Sequence, residues 1–208
     1  MRACFILALI TVPLAGCVPS INPIYTDKDI VYMPELLGKW VTEDSKESWE
    51  VTDGGEKSYN AVYTDDKGGK YTFSIHLTRI GDALFADLYP DDWEFKGADD
   101  INDLFLLHLV PAHNFVRIET GENKIRAWAM DCSWVSDYVK KHRFAPRYEE
   151  REDNIVFTAS TRKLRRFLRR QIHVNEAFAE DDEIVLVRAP ACTETAEPAP
   201  APEAPPTQ

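Results

Sequence analysis

Residues 71–78 alternate without a break: Tyr71, Phe73, Ile75 and Leu77 stand between Thr72, Ser74, His76 and Thr78. A repeat of two places one set on a buried face and the other toward water, so this stretch reads as a half-buried strand. The same period runs through Tyr59, Ala61 and Tyr63, through Trp49 and Val51, and through Ile125, Ala127 and Ala129, with Trp128 on the opposite face. Leu104–Val110 is a continuous apolar run of strand length, and Phe115–Glu119 follows it. Between these runs lie Asp53-Gly54-Gly55, Lys67-Gly68-Gly69, Gly81-Asp82 and Gly121-Glu122-Asn123, all built from residues that tolerate the positive φ of tight turns. From Gly38 to Met130 the pattern predicts about eight strands in hairpin order, interrupted by an acidic loop over 91–102. A meander of that size leaves two unpaired edges unless it closes on itself, and a closed barrel of about eight strands has room for packed side chains or one small ligand. Trp49, Tyr59, Tyr71, Phe73, Ile75 and Ile125 are the side chains expected to line that interior and touch any ligand.

After Met130 the period changes. Trp134, Val135, Tyr138 and Val139 fall on one helical face, Ile155–Thr158 reads as a short strand, and Ser160 stands where it can cap a helix with the stripe Leu164, Phe167, Leu168 and Ile172. Ile184–Arg188 reads as a final strand. The fold class expected is therefore β-rich (α+β): an antiparallel up-and-down barrel with two C-terminal helices. Residues 189–208 hold six Pro and six Ala, a composition that cannot bury enough surface to offset ordering and is expected to stay extended.

The amino terminus reads as an export signal. Arg2 is the one charge in residues 1–16, Phe5–Leu14 is apolar apart from Thr11, and the run is too short to span a bilayer, which takes roughly 20 residues. It ends in Leu14-Ala15-Gly16-Cys17, which resembles the lipobox of bacterial lipoproteins. The resemblance implies cleavage before Cys17, diacylglyceryl transfer to its thiol and acylation of the new amine. Several chains on one residue meet the need for more than a single acyl anchor. It further implies a cell-envelope address. Val18 rather than Asp after the cysteine points, in a Gram-negative cell, to the periplasmic side of the outer membrane. The expected organisation is a signal peptide over 1–16, a lipidated tether over 17–32 that docks on the body, a globular domain over 33–188 and the tail.

Leu37-Gly38-Lys39-Trp40, just before the first long strand, resembles the Gly-x-Trp signature of lipocalins. In that family the glycine permits close chain approach and the tryptophan plugs the barrel base under an arginine from near the last strand. Carried over, Gly38 and Trp40 are structural and Arg188 is the cover. The chain departs from the family at Tyr63-Thr64-Asp65-Asp66, where a Thr-Asp-Tyr motif would need a third-place aromatic, and in the additional segment 131–153. It also resembles a group of envelope lipoproteins that share a Leu-x-Gly-x-Trp start.

Charge excludes one class of partner. The chain carries 35 acidic against 24 basic residues, a net −11, and losing Arg2 with the signal takes it to −12. Nucleic acid would demand the opposite sign. One segment reverses it: Arg162, Lys163, Arg165, Arg166, Arg169 and Arg170 put six cations in nine residues. On a helix they lie opposite the apolar stripe, where they either contact anionic lipid, cell wall or a partner protein, or pair with the domain's own carboxylates. The contact surface expected is Arg162, Arg165, Arg166, Arg169 and Arg170.

Catalytic and metal signatures are weak. Cys132 and Cys192, the two cysteines left once Cys4 is cleaved away and Cys17 acylated, either bridge in an oxidising compartment or remain two thiols, and their spacing makes no zinc site. His76 and His108 could meet across strands, but no two histidines of the chain fall at metal-ligand spacing, so no metal and no cofactor are expected. Ser160-Thr161-Arg162-Lys163 matches a Ser-x-x-Lys pair, yet no Lys-Thr-Gly follows, and Ser160 is read as a cap. The sequence thus favours a non-catalytic, lipid-anchored envelope protein binding a small apolar ligand. The alternative is an interaction module working through the basic helix over 161–173.

Overall fold

The computed structural model describes residues 18–43, 45–91, 109–151 and 154–190. After a short strand β1 (Ile30–Val31), seven strands follow in hairpin order: β2 (Gly38–Thr42), β3 (Ser48–Gly55), β4 (Ser58–Thr64), β5 (Lys70–Ile80), β6 (Ala83–Pro90), β7 (Asn114–Thr120) and β8 (Lys124–Ala129). Then come α1 (Cys132–Lys141), the hairpin β9 (Tyr148–Arg151) and β10 (Asn154–Phe157), α2 (Thr161–Gln171) and β11 (Glu183–Arg188). The sheet runs β5-β4-β3-β2-β11-β8-β7-β6, and β6 pairs again with β5, so eight antiparallel strands close into a barrel of lipocalin-like form. β1 pairs with Leu77 and Thr78 of β5, continuing the edge where β4 stops at Ile75.

One expectation is corrected in detail. The eight staves do not all lie between Gly38 and Met130; the described residues there supply seven, and the eighth is β11, after the helices. It inserts between β2 and β8, with Arg188 opposite Trp40 and Ile184 opposite Ala127. The physical reason is the edge problem: β2 and β8 each present an open row of backbone donors and acceptors, and β11 satisfies both. Most of the run Leu104–Val110 and of the acidic loop 91–102 lies outside the described residues.

Two apolar cores share one wall. Inside the barrel are Trp40, Tyr59, Leu77, Leu84, Ala86, Ile118, Ile125 and Ala127, with Leu36 below them. The alternate residues Phe85 of β6, Phe115 of β7 and Trp128 of β8 face outward and are buried as deeply. They pack against Val135 and Val139 of α1 and Leu164, Phe167, Leu168 and Ile172 of α2. Strands buried on both faces read as continuous apolar runs, which is why Leu84-Phe85-Ala86 lacks alternation. Gly81 makes the β5–β6 turn at φ +66°, and a Cβ there would lie 2.8 Å from Ile172 Cδ1, so the turn and the end of α2 are fitted to each other.

The described part of the amino-terminal segment is integral to the body. Val18 and Ile24 belong to the outer core. Ser20 exchanges backbone hydrogen bonds with His113, and Phe157 N–H donates to Pro19 while Ile21 N–H donates to Phe157. Asp131 caps α1, accepting from Trp134 N–H. Ser160 occupies the corresponding place before α2, but its hydroxyl makes no cap bond; its carbonyl instead accepts from Lys163 and Leu164 N–H.

Candidate functional site

The barrel is closed at one end by a set of contacts centred on Trp40. Gly38 adopts φ +119°, and a Cβ there would sit 2.9 Å from Arg188 Nη1. The absent side chain lets Arg188 lie over the Trp40 ring, 4.3 Å from its centroid. Arg188 also donates to the carbonyls of Leu37 (3.0 Å) and Glu35 (2.5 Å), while Trp40 Nε1 donates to Leu36 (2.8 Å). The turn Pro34–Leu36 thereby becomes a floor. Tyr59 completes it: its hydroxyl accepts from Met33 N–H at 2.6 Å, and its ring stacks on Tyr32 at 5.0 Å. Gly38, Trp40 and Arg188 therefore occupy the places that the Gly-x-Trp reading assigned to them.

Register carries the interior from this floor to the opposite end. Trp40 pairs with Trp49, Trp49 with Tyr63, and Tyr63 with Tyr71. Ala61 pairs with Phe73 and Tyr59 with Ile75; Leu186 pairs with Ile125. Opposed residues share a face, so Trp49, Tyr59, Tyr71, Phe73, Ile75 and Ile125 all take the inward register. Their burial is uneven: Ala61, opposite Phe73, is fully buried, and Val51, opposite Gly38, is half-buried. Trp40, Tyr59 and Leu77 are each 1 % exposed at the floor, whereas Trp49, Phe73, Ile75, Leu88, Val116, Ile184 and Leu186 are half-buried and Tyr71 at the far rim is 51 % exposed.

That far end is aromatic. Trp49 lies 4.8 Å from Tyr63 and 5.8 Å from Phe73 between ring centroids, and Tyr63 lies 6.1 Å from Tyr71. Burial, with Glu47 accepting its hydrogen bond, pushes the Tyr63 phenol well above its ordinary range and keeps it neutral. The Tyr71 hydroxyl points to Asp65 Oδ2 at 3.4 Å. Chemically this is a cluster of contacting aromatic rings with phenol hydroxyls at its edge, a composition shared with sites that bury a small molecule and orient it with a few polar groups.

The outer wall holds a cluster missed in the sequence. Asp87 is 1 % exposed; its Oδ1 lies 2.7 Å from His113 Nδ1 and its Oδ2 accepts from Ile24 N–H at 2.8 Å. His76 stands opposite Asp87 across the β5–β6 pair and stacks on Tyr25 at 4.1 Å. Burial pulls the His76 imidazole below its ordinary value. No group of three or more His, Cys, Asp or Glu among the described residues is placed to hold a metal ion. His108 lies outside the described residues. The signal that could have found this cluster is Asp87 itself, a carboxylate inside an otherwise apolar strand.

The basic helix divides. Arg162, Arg166, Arg169 and Arg170 are exposed. Arg165 is not available as a contact residue: its side chain is 12 % exposed, with Nη1 donating to Ile24 O (2.8 Å) and Thr78 Oγ1 (2.9 Å) and Nη2 donating to Arg79 O (3.1 Å) and facing Asp29 at 3.3 Å. It faces inward because the amino-terminal segment, running beside α2, offers it the Ile24 carbonyl and the Asp29 carboxylate, and β5 offers Thr78 Oγ1 and the Arg79 carbonyl. Cys132 opens α1, half-buried, and burial with nearby Asp131 pushes its thiol up. Its suggested partner Cys192, and the lipobox Cys17, lie outside the described residues. No family model, no curated protein and no solved structure matches this chain.

Proposed function

We propose that this chain is a non-catalytic, lipid-anchored protein of the bacterial cell envelope whose barrel receives a small apolar ligand through its aromatic mouth. The observation that carries the reading is a cluster of incompletely buried rings on the inward face, Trp49, Tyr63 and Phe73 half-buried and Tyr71 exposed, on a barrel whose floor rings Trp40 and Tyr59 are sealed. Each half-exposed aromatic ring forgoes roughly 1–2 kcal/mol of transfer free energy, which an apolar ligand covering the cluster would recover. The anchor rests on Leu14-Ala15-Gly16-Cys17. In a Gram-negative cell it places the body at the periplasmic side of the outer membrane.

Two measurements test the two halves. Protein purified from envelopes and extracted under denaturing organic conditions should release an apolar compound at near-stoichiometric amount; an empty extract, with no saturable binding of fatty-acid probes, sinks the ligand reading. Wild-type chain should take up labelled palmitate and Cys17→Ser should not. Label-free wild type, or membrane fractionation unchanged in the variant, removes the anchor.

A further inference from the structure

The sequence leaves the cations of α2 as either contacts or partners of the domain's own carboxylates, and the structure separates the two. Arg165 is spent internally, as described above. Arg162, Lys163, Arg166, Arg169 and Arg170 are exposed and make no ion pair among the described residues, although the chain holds 35 acidic residues. At 3.6 residues per turn these five lie within a sector of ~120°, opposite the buried Leu164, Phe167, Leu168 and Gln171. A dense stripe of unneutralised positive charge on a body of net −11 is complementary to an anionic surface that extends along the helix.

The neighbouring chain says which surface. Asn22 Nδ2 donates to Ala159 O at 3.1 Å, Arg165 donates to Ile24 O, and Phe157 N–H donates to Pro19 O, so the amino-terminal segment lies against the start of α2. Val18, the first described residue, is buried in the outer core with Leu164, Phe167 and Leu168 of α2. The described chain therefore begins against α2, and the apolar run Phe5–Leu14 and Cys17 precede that point in sequence. We propose that Arg162, Lys163, Arg166, Arg169 and Arg170 form a docking surface for the anionic headgroups of a phospholipid bilayer, holding the body in a fixed orientation on the membrane. The choice of a bilayer over other polyanions rests on the lipid-anchor reading; the charge surface itself does not.

The test omits the anchor, so that the two readings fail separately. A chain of residues 18–208 contains every described element, and its sedimentation with sucrose-loaded vesicles can be measured on zwitterionic phosphatidylcholine and on phosphatidylcholine carrying phosphatidylglycerol. Each cation near such a surface is worth about 1 kcal/mol, roughly fivefold in partition. The chain should bind the anionic vesicles at least tenfold better, and about 0.5 M salt should abolish the difference. The variant Arg162→Gln, Lys163→Gln, Arg166→Gln, Arg170→Gln spares Arg169, whose stem packs near Gly81, and should lose that preference. The charge-preserving variant Arg162→Lys, Arg166→Lys, Arg170→Lys should keep it, which separates loss of charge from loss of fold. Equal binding to both vesicles by the parent chain overturns the proposal, as does an undiminished preference in the glutamine variant. Tight binding to soluble polyphosphate with none to vesicles also overturns it, in favour of a soluble polyanion.

Discussion

Arg188 shows how much one side chain can do at the barrel floor. It stacks on Trp40 and donates to the carbonyls of Glu35 in the Pro34–Leu36 turn and of Leu37 just after it, so a single guanidinium ties the last strand, the first stave and the plug together. Arg188→Ala should cost about 1–3 kcal/mol, from two charge-assisted hydrogen bonds and a half-buried cation–π contact, read as a lower midpoint in urea unfolding. The spacing of Gly38 and Trp40 was legible from the sequence because it encodes a local geometry; Arg188 was reached only through a family resemblance, since nothing local announces a partner 148 positions away. His76 makes a different prediction. Burial holds its pKa below the ordinary 6.5, so the unfolded chain takes up a proton that the folded chain refuses. Its contribution is complete above that value, falls as pH drops below it, and levels off below the folded pKa. His76→Phe keeps the stack on Tyr25 and should flatten the acid side of the stability profile between pH ~6.5 and the onset of carboxylate protonation; an unchanged slope would assign the effect elsewhere.

At the scale of elements, α2 has two jobs on two faces, and Arg165 stands at their border. Arg165→Gln should loosen the segment 18–30, detected as faster amide exchange at Ile24 and a loss of about 2–3 kcal/mol in global stability, because three acceptors and Asp29 lose a charged donor. The amphipathic stripe of α2 could be read from sequence since period 3.6 is local. Which arginine turns inward could not, because that depends on where the amino-terminal segment docks. The same limit hid Asp87 and His113, which meet only once β6 and β7 pair and Ile24 arrives over them. The strands β3, β4, β5, β7 and β8 lay near their predicted places because alternation or the flanking turn residues marked them; β6 had no predicted range, since a strand buried on both faces carries no alternation. β11 was seen as a strand but not as a stave, since pairing between Leu186 and Thr42 is fixed by closure and not by any neighbour in sequence.

For the whole molecule, closure is the decisive event. A chain ending at Asp182 would lack β11 and expose the edges of β2 and β8, so it should aggregate or lose its cooperative melt. One ending at Pro190 keeps every described strand and should melt as the full chain does. A closed barrel with a plugged floor then raises the question of its mouth. Titration of a fluorescent fatty-acid probe into wild type and into Phe73→Gln addresses that most directly, because Phe73 belongs to the aromatic cluster yet is only half-buried and tolerates a polar replacement. The expected result is saturable binding of one probe per wild-type chain, quenching of Trp49 fluorescence and an affinity at least tenfold weaker in Phe73→Gln at unchanged unfolding midpoint. Absence of saturable binding in the wild type, or equal affinity in the two proteins, would contradict the claim that this barrel is open to receive a ligand.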